Sequence, residues 1–172
     1  MMLKSHIVAG VVGTALFYPL LGPWKSSVFF TASVLIDADH YLDYLWKTKF
    51  ADWSPKQMFR YYDKVIDNRF DKRKLGFSIL HTVELYVVIY LLAVYVHYDF
   101  FLTILGGMAY HMIFDVVSMA WQRLHFVRPF SIVEYLIRKK RMQKMGLDPD
   151  EFYRDMYLLS VGKPIEGQTT GK

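Results

Sequence analysis

The chain is 172 residues long, 53% hydrophobic, carries a formal charge of +5 and contains no cysteine. That length is one domain's worth of protein. Disulfides and thiolate ligands are excluded, so any metal must be held by nitrogen and oxygen donors. Residues 5–46 and 75–121 are apolar with isolated polar interruptions, whereas 47–74 and 122–172 are strongly charged. Basic residues beside apolar spans point to anionic lipid headgroups and not to nucleic acid as the partner.

Residues 1–21 lack an Ala-x-Ala-type cleavage site, and His6 falls where the apolar sequence begins. This reads as a retained helix rather than a signal peptide. Residues 7–21 are mostly apolar before Gly22-Pro23 breaks the helix. Residues 26–36 continue apolar, and Asp37, Asp39, His40 and Asp43 follow. Such an acidic end suits a membrane span only if its polar face points into a bundle. A re-entrant hairpin over 7–46 is the alternative.

Residues 47–74 read as a basic loop. Residues 75–96 and 100–121 are 22 residues each. As helices each would cover roughly 33 Å, enough for a hydrocarbon core of about 30 Å. Only His97-Tyr98-Asp99 separates them, which predicts a tight antiparallel hairpin. In 130–145, Ile132, Tyr135 and Leu136 recur at helical spacing among Arg138, Lys139, Lys140, Arg141 and Lys144. That pattern predicts an amphipathic helix on the membrane surface, stopped by Gly146. The polar stretch 162–172 reads as a disordered tail.

The expected fold is therefore an all-α integral membrane protein: a compact bundle of about four transmembrane helices with a C-terminal amphipathic interfacial helix. The expected organisation is a helical metal-binding core over 1–129 that includes the basic loop 47–74, a helical segment over 130–161, and the tail 162–172. Nine Lys and Arg lie in 47–74 and ten from 122 onward, while the connections on the opposite side hold only Lys25. The positive-inside rule places both termini and the basic loop in the cytoplasm, on a multi-pass protein of the cell membrane.

Ionisable residues inside apolar helices are costly and usually functional. His111 and Asp115 are i and i+4, so they share a helix face, and Gly107 lies one turn before them. Asp37, His40 and Tyr44 form one stripe, Asp39 and Asp43 the next. Unpaired carboxylates at low dielectric would take up protons, and a bound cation removes that penalty. His81 and Glu84 are i and i+3, and His6 joins them at the cytoplasmic end. Buried His–Asp hydrogen bonds that staple helices are the competing account. Glu84 admits three roles: a further ligand, a carboxylate holding an imidazole, or a general base, and Asp39 is the other catalytic candidate. The candidate metal ligands are His6, Asp37, Asp39, His40, His81, His111 and Asp115. Seven exceed the needs of one tetrahedral ion and suit two divalent ions with a bridging carboxylate. Zinc is favoured, with manganese or iron compatible with a mixed His and Asp set.

Ser5-His6 with Gly10, Leu35-Ile36-Asp37-Ala38-Asp39-His40, Leu80-His81-Thr82 and Gly107-x-x-x-His111-x-x-x-Asp115 resemble the signature of the YdjM-type membrane-bound metal-dependent hydrolases. Arg128-Pro129-Phe130-Ser131 resembles that family's segment after its last core helix. The pattern is also distantly similar to the zinc-dependent phospholipase C and nuclease group. The resemblance implies a membrane-embedded metal-dependent hydrolase whose polar positions match the seven candidate ligands. One departure is that Gly76-Phe77 stands where the family typically has His-Arg.

Together these readings predict a hydrolase that cleaves a phosphoester or pyrophosphoryl bond of a lipid or lipid-linked substrate at the cytoplasmic leaflet. The basic loop and Arg123 or Arg128 would hold the anionic headgroup. The alternatives are a proton-coupled transporter and a structural or partner-binding membrane subunit.

Overall fold

The computed structural model describes residues 3–121 and 128–164. Seven α-helices occur in them: α1 (Leu3–Leu35), α2 (Ala38–Lys47), α3 (Pro55–Asp67), α4 (Val83–Tyr95), α5 (Tyr98–Trp121), α6 (Ile132–Lys144) and α7 (Pro149–Ser160). A single 3₁₀ turn spans Ile79–His81, and no strand occurs among the described residues. The chain forms two compact units, one from residues 1–39 and 78–132, the other from 40–77 and 133–172.

In the first unit, α1 doubles back on itself. Gly22 sits at φ 69° and ψ 176°, outside helical space, and Pro23 follows. That conformation is open to glycine and costly for other residues. The two arms then pair: a Cβ at Gly10 would lie 2.9 Å from Ser33 Oγ, and His6 Nδ1 lies 3.8 Å from Asp37 Oδ2. Both pairs are centred on the Gly22 bend, so the start and end of α1 meet at one end of the unit.

Helix α5 packs against α1 and α4. At Gly107 an added Cβ would sit 2.5 Å from the Phe29 carbonyl oxygen, so only glycine permits this approach of α1 and α5. Tyr110 reaches across to donate its hydroxyl to the Ala9 carbonyl at 3.1 Å. Ile36, Ile89 and Met108 are buried together, flanked by Leu80, Leu85 and Ile104. The outer faces are apolar and bare: Val8, Val12, Leu16 and Leu20 on α1, Val87 and Leu91 on α4, and Ile113 and Val117 on α5 are all exposed.

Among the described residues two helical stretches, not the expected four, are long and apolar enough to cross a membrane. The first expected pair is one helical stretch bent at Gly22. The third expected span shrinks to the 13 residues of α4, roughly 20 Å long. Ser78 is extended, Ile79–His81 makes only one 3₁₀ turn, and Thr82 is extended again before α4 begins. The fourth survives as the 24-residue α5.

The second unit has an aromatic core of Tyr44, Leu45, Tyr61, Val65, Phe152, Tyr153 and Met156. The segment expected as a basic loop contains α3. Ser54 caps it by accepting from the Gln57 amide, Pro55 occupies its first turn, and Tyr61 and Val65 bury one face at i, i+4. Helix α3 packs on α7, where Gln57 Nε2 donates to Ser160 Oγ at 2.8 Å. Arg73 joins Asp71 and Asp155 at 3.0 and 2.9 Å. Helix α6 starts and ends near the expected bounds, buries no residue, and is followed by Gly146 at φ 74°. Residues 165–172 of the expected tail lie outside the described residues.

Lys74 in this unit is partly buried and donates to the Val65 carbonyl at 3.4 Å. Burial, then the nearby Arg69 charge, pushes its ammonium down to about 8. The folded unit thus releases this proton before an unfolded chain would, so stability rises as pH climbs from about 8 towards the unfolded lysine value of about 10.4. Acylation of Lys74, followed by peptide mass spectrometry, is expected to show a rate midpoint near pH 8. A midpoint near the ordinary lysine value of about 10.4 would contradict this.

Candidate metal centre

Five of the seven candidate ligands converge in the first unit. His6 comes from the start of α1, Asp37 from the turn after its far end, His81 from the 3₁₀ turn, and His111 and Asp115 from α5. They compose two overlapping groups, His6–Asp37–His111 and His81–His111–Asp115, with ligand atoms within 4.8 Å of one another in each. His6, His81, His111 and Asp115 are buried.

The imidazoles are held by their outer nitrogens. His111 Nδ1 lies 2.8 Å from the Ser33 carbonyl oxygen. A carbonyl can only accept, so Nδ1 carries the proton and the neutral ring keeps its lone pair on Nε2. His81 Nδ1 lies 2.9 Å from Asp39 Oδ2, which also accepts from the Leu80 amide at 3.2 Å. An imidazole whose far nitrogen donates to a carboxylate or backbone carbonyl is the arrangement that orients metal-binding histidines.

The inner nitrogens then oppose one another. His81 Nε2 and His111 Nε2 are 3.4 Å apart. Two lone pairs at that distance repel unless a cation or a proton lies between them. Ligand atoms about 2.0–2.1 Å from one tetrahedral ion are themselves about 3.3–3.4 Å apart. His81 Nε2 to Asp115 Oδ2 is 3.4 Å, His111 Nε2 to Asp37 Oδ1 is 3.4 Å, and His111 Nε2 to Asp115 Oδ2 is 3.8 Å. The donor set and its spacing fit a divalent ion.

The other carboxylate oxygens turn to His6. Asp115 Oδ1 is 3.5 Å from His6 Nε2, and Asp37 Oδ2 is 3.8 Å from His6 Nδ1. The His6 ring stacks on His111 with centroids 4.3 Å apart. Asp37 and Asp115 each therefore face His6 with one oxygen and the His81/His111 pair with the other.

No protein-family model, curated protein or solved structure matches the chain. The His/Asp arrangement and its geometry stand on their own.

The remaining sequence candidates fall elsewhere. Asp39 is buried and braces His81, but belongs to neither group. His40, also in neither group, lies in the second unit with its ring edge-on to Tyr62 at 5.4 Å. It directly follows Asp39 in the chain. Glu84 is outside both groups as well, since its Oε1 accepts from the Ser131 hydroxyl and from the Ile132 amide at 3.0 Å. His97, which was no candidate, accepts from the Phe100 amide in the α4–α5 connection. His125 and Arg123 lie outside the described residues.

One contributor escaped the sequence reading. Ser33 acts through its backbone carbonyl, which no side-chain pattern reports. Arg128 places Nη1 2.9 Å from Asp115 Oδ2. The sequence offers it as a headgroup ligand, and the structure adds its contact with Asp115 on α5.

Proposed function

We propose that the protein is a membrane-embedded, metal-dependent hydrolase acting on the phosphoester or pyrophosphoryl bond of a lipid or lipid-linked substrate. The observation that carries the reading is the opposed Nε2 pair of His81 and His111, 3.4 Å apart beside Asp37 and Asp115. With each Nδ1 donating outward, two neutral rings set acceptor against acceptor, which a bound cation relieves, whereas a purely structural staple needs a proton there instead.

His81, His111, Asp37 and Asp115 would hold one divalent ion, and one ring nitrogen of His6 with the outer oxygen of Asp37 or of Asp115 would hold a second. Zinc is favoured for this nitrogen and oxygen set, with manganese or iron as further possibilities. When bound, such ions supply Lewis acidity to an ester oxygen and acidify a water. Asp39 and Ser33 fix the two imidazole planes, so those nitrogens need no rearrangement. Arg128 balances the carboxylate charge at Asp115.

The exposed apolar faces of α1, α4 and α5 support a place in the bilayer. An apolar cavity of about 510 Å³ supports a hydrocarbon-bearing substrate. Ile36 and Leu80 line it, and the next residues in the chain are Asp37 and His81. Because α1 returns to its starting end, the basic sequence after it is consistent with cytoplasmic termini and a cytoplasmic-leaflet substrate.

Protein extracted from membranes without chelator and analysed by plasma mass spectrometry should carry close to two transition-metal ions per chain. It should release phosphate from a phosphorylated lipid in mixed micelles and lose that activity on chelation. A metal-free preparation that stays folded and binds no added zinc, manganese or iron would refute the reading.

A further inference from the structure

Arg128 has an unusual hydrogen-bond state. Its side chain is 12% exposed, and one nitrogen, Nη1, is committed to Asp115 Oδ2 at 2.9 Å. The other two, Nε and Nη2, are buried and have no hydrogen-bond partner. Burying charged donors without acceptors is costly, so such groups normally have a partner.

The two idle nitrogens are not an arbitrary pair. Nε–H and one Nη2–H are parallel and form one edge of the planar guanidinium, the fork that matches two oxygens of a single phosphate or carboxylate. Nη1 lies off that edge. Its bond to Asp115 therefore fixes the plane while leaving the fork intact. Asp115 Oδ2 is also the oxygen 3.4 Å from His81 Nε2 and 3.8 Å from His111 Nε2. The fork is thus held within one guanidinium width of an atom belonging to the His/Asp cluster.

We infer that Arg128 binds the substrate's phosphoryl group side-on, taking two of its non-bridging oxygens through Nε and Nη2 while Nη1 stays on Asp115. This rests on the phosphoester reading and deepens it by naming the residue that selects a tetrahedral anion. An uncharged ester or amide would leave the buried fork unsatisfied, so the site discriminates against it.

The test is titration of inorganic phosphate into the purified, metal-bearing full chain, followed by calorimetry, with metal content measured on the same samples. Arg128→Lys keeps a cation for Asp115 but cannot present two parallel donors. It should retain wild-type metal content and thermal midpoint, and bind phosphate about tenfold to a hundredfold more weakly, the cost of a charge-assisted hydrogen bond. Arg128→Gln should bind phosphate at least as weakly; if it fails to fold, the lysine variant decides alone. Phosphate affinity unchanged in Arg128→Lys overturns the inference even where two metals are bound, leaving the hydrolase reading intact. Arg128-dependent phosphate binding by a chain that takes up no metal would uphold the inference and sink the hydrolase reading instead.

Discussion

Replacing His111 with alanine is expected to abolish metal loading more completely than any other single change in the cluster. His111 is the one residue common to both ligand groups. Its Nε2 is 3.4 Å from His81 Nε2 and 3.4 Å from Asp37 Oδ1, and its ring stacks on His6. Removing it takes away that shared nitrogen and leaves the carboxylates of Asp37 and Asp115 without the ion that would offset their charge, which is unfavourable at low dielectric. Metal content should fall from about two ions to below one, with hydrolysis reduced beyond detection. His6→Ala should lose only the ion that the outer carboxylate oxygens face, leaving about one. Asp39→Asn should keep the ligands but loosen His81, costing roughly 10–100-fold in metal affinity or rate, as losing an outer-shell partner does. His40→Ala should change neither quantity, because its ring contacts Tyr62 and not the cluster. Wild-type metal content in His111→Ala would place the ions elsewhere.

This series also separates what the sequence could convey from what it could not. The His111–Asp115 pair was legible because both residues fall on one face of an uninterrupted helix, where i, i+4 spacing fixes proximity. The bend at Gly22-Pro23 was legible for a similar local reason: glycine followed by proline punctuates a helix. The fate of Asp37, Asp39 and His40 was not, because it depends on where one helix ends and the next begins. The turn at residues 36–37 places Asp37 beside His6 and His111, Asp39 behind His81, and His40 beside Tyr62. A continuous helix would have given a different grouping. Hydropathy overstated the third span, since 75–82 is apolar enough for a helix but is non-helical apart from one 3₁₀ turn. Helix α3 was hidden by its charge, although Ser54-Pro55 and the Tyr61–Val65 pair carried ordinary signs of a capped amphipathic helix.

The largest effect expected away from the ligands themselves comes from Gly107→Ala. Gly107, one turn before His111, is where α5 comes closest to α1. A methyl group there would lie 2.5 Å from the Phe29 carbonyl oxygen and 3.0 Å from Ala32 Cβ. The first of these is main chain and cannot rotate aside, so α1 and α5 must separate. Overpacking of this kind costs about 1–3 kcal/mol, read as a lowered thermal midpoint in detergent. The displacement should also reach the metal centre through a specific path. Ser33 follows Ala32 directly, and its carbonyl fixes His111 Nδ1 at 2.8 Å. Moving that segment of α1 away from α5 lengthens this bond and frees the imidazole to rotate. Gly107→Ala should therefore lose metal affinity as well as stability, whereas a variant at the exposed Val116 should alter neither. Gly107→Ala with an unchanged midpoint and full metal content would show that the α1–α5 contact is looser than the 2.5 Å approach requires.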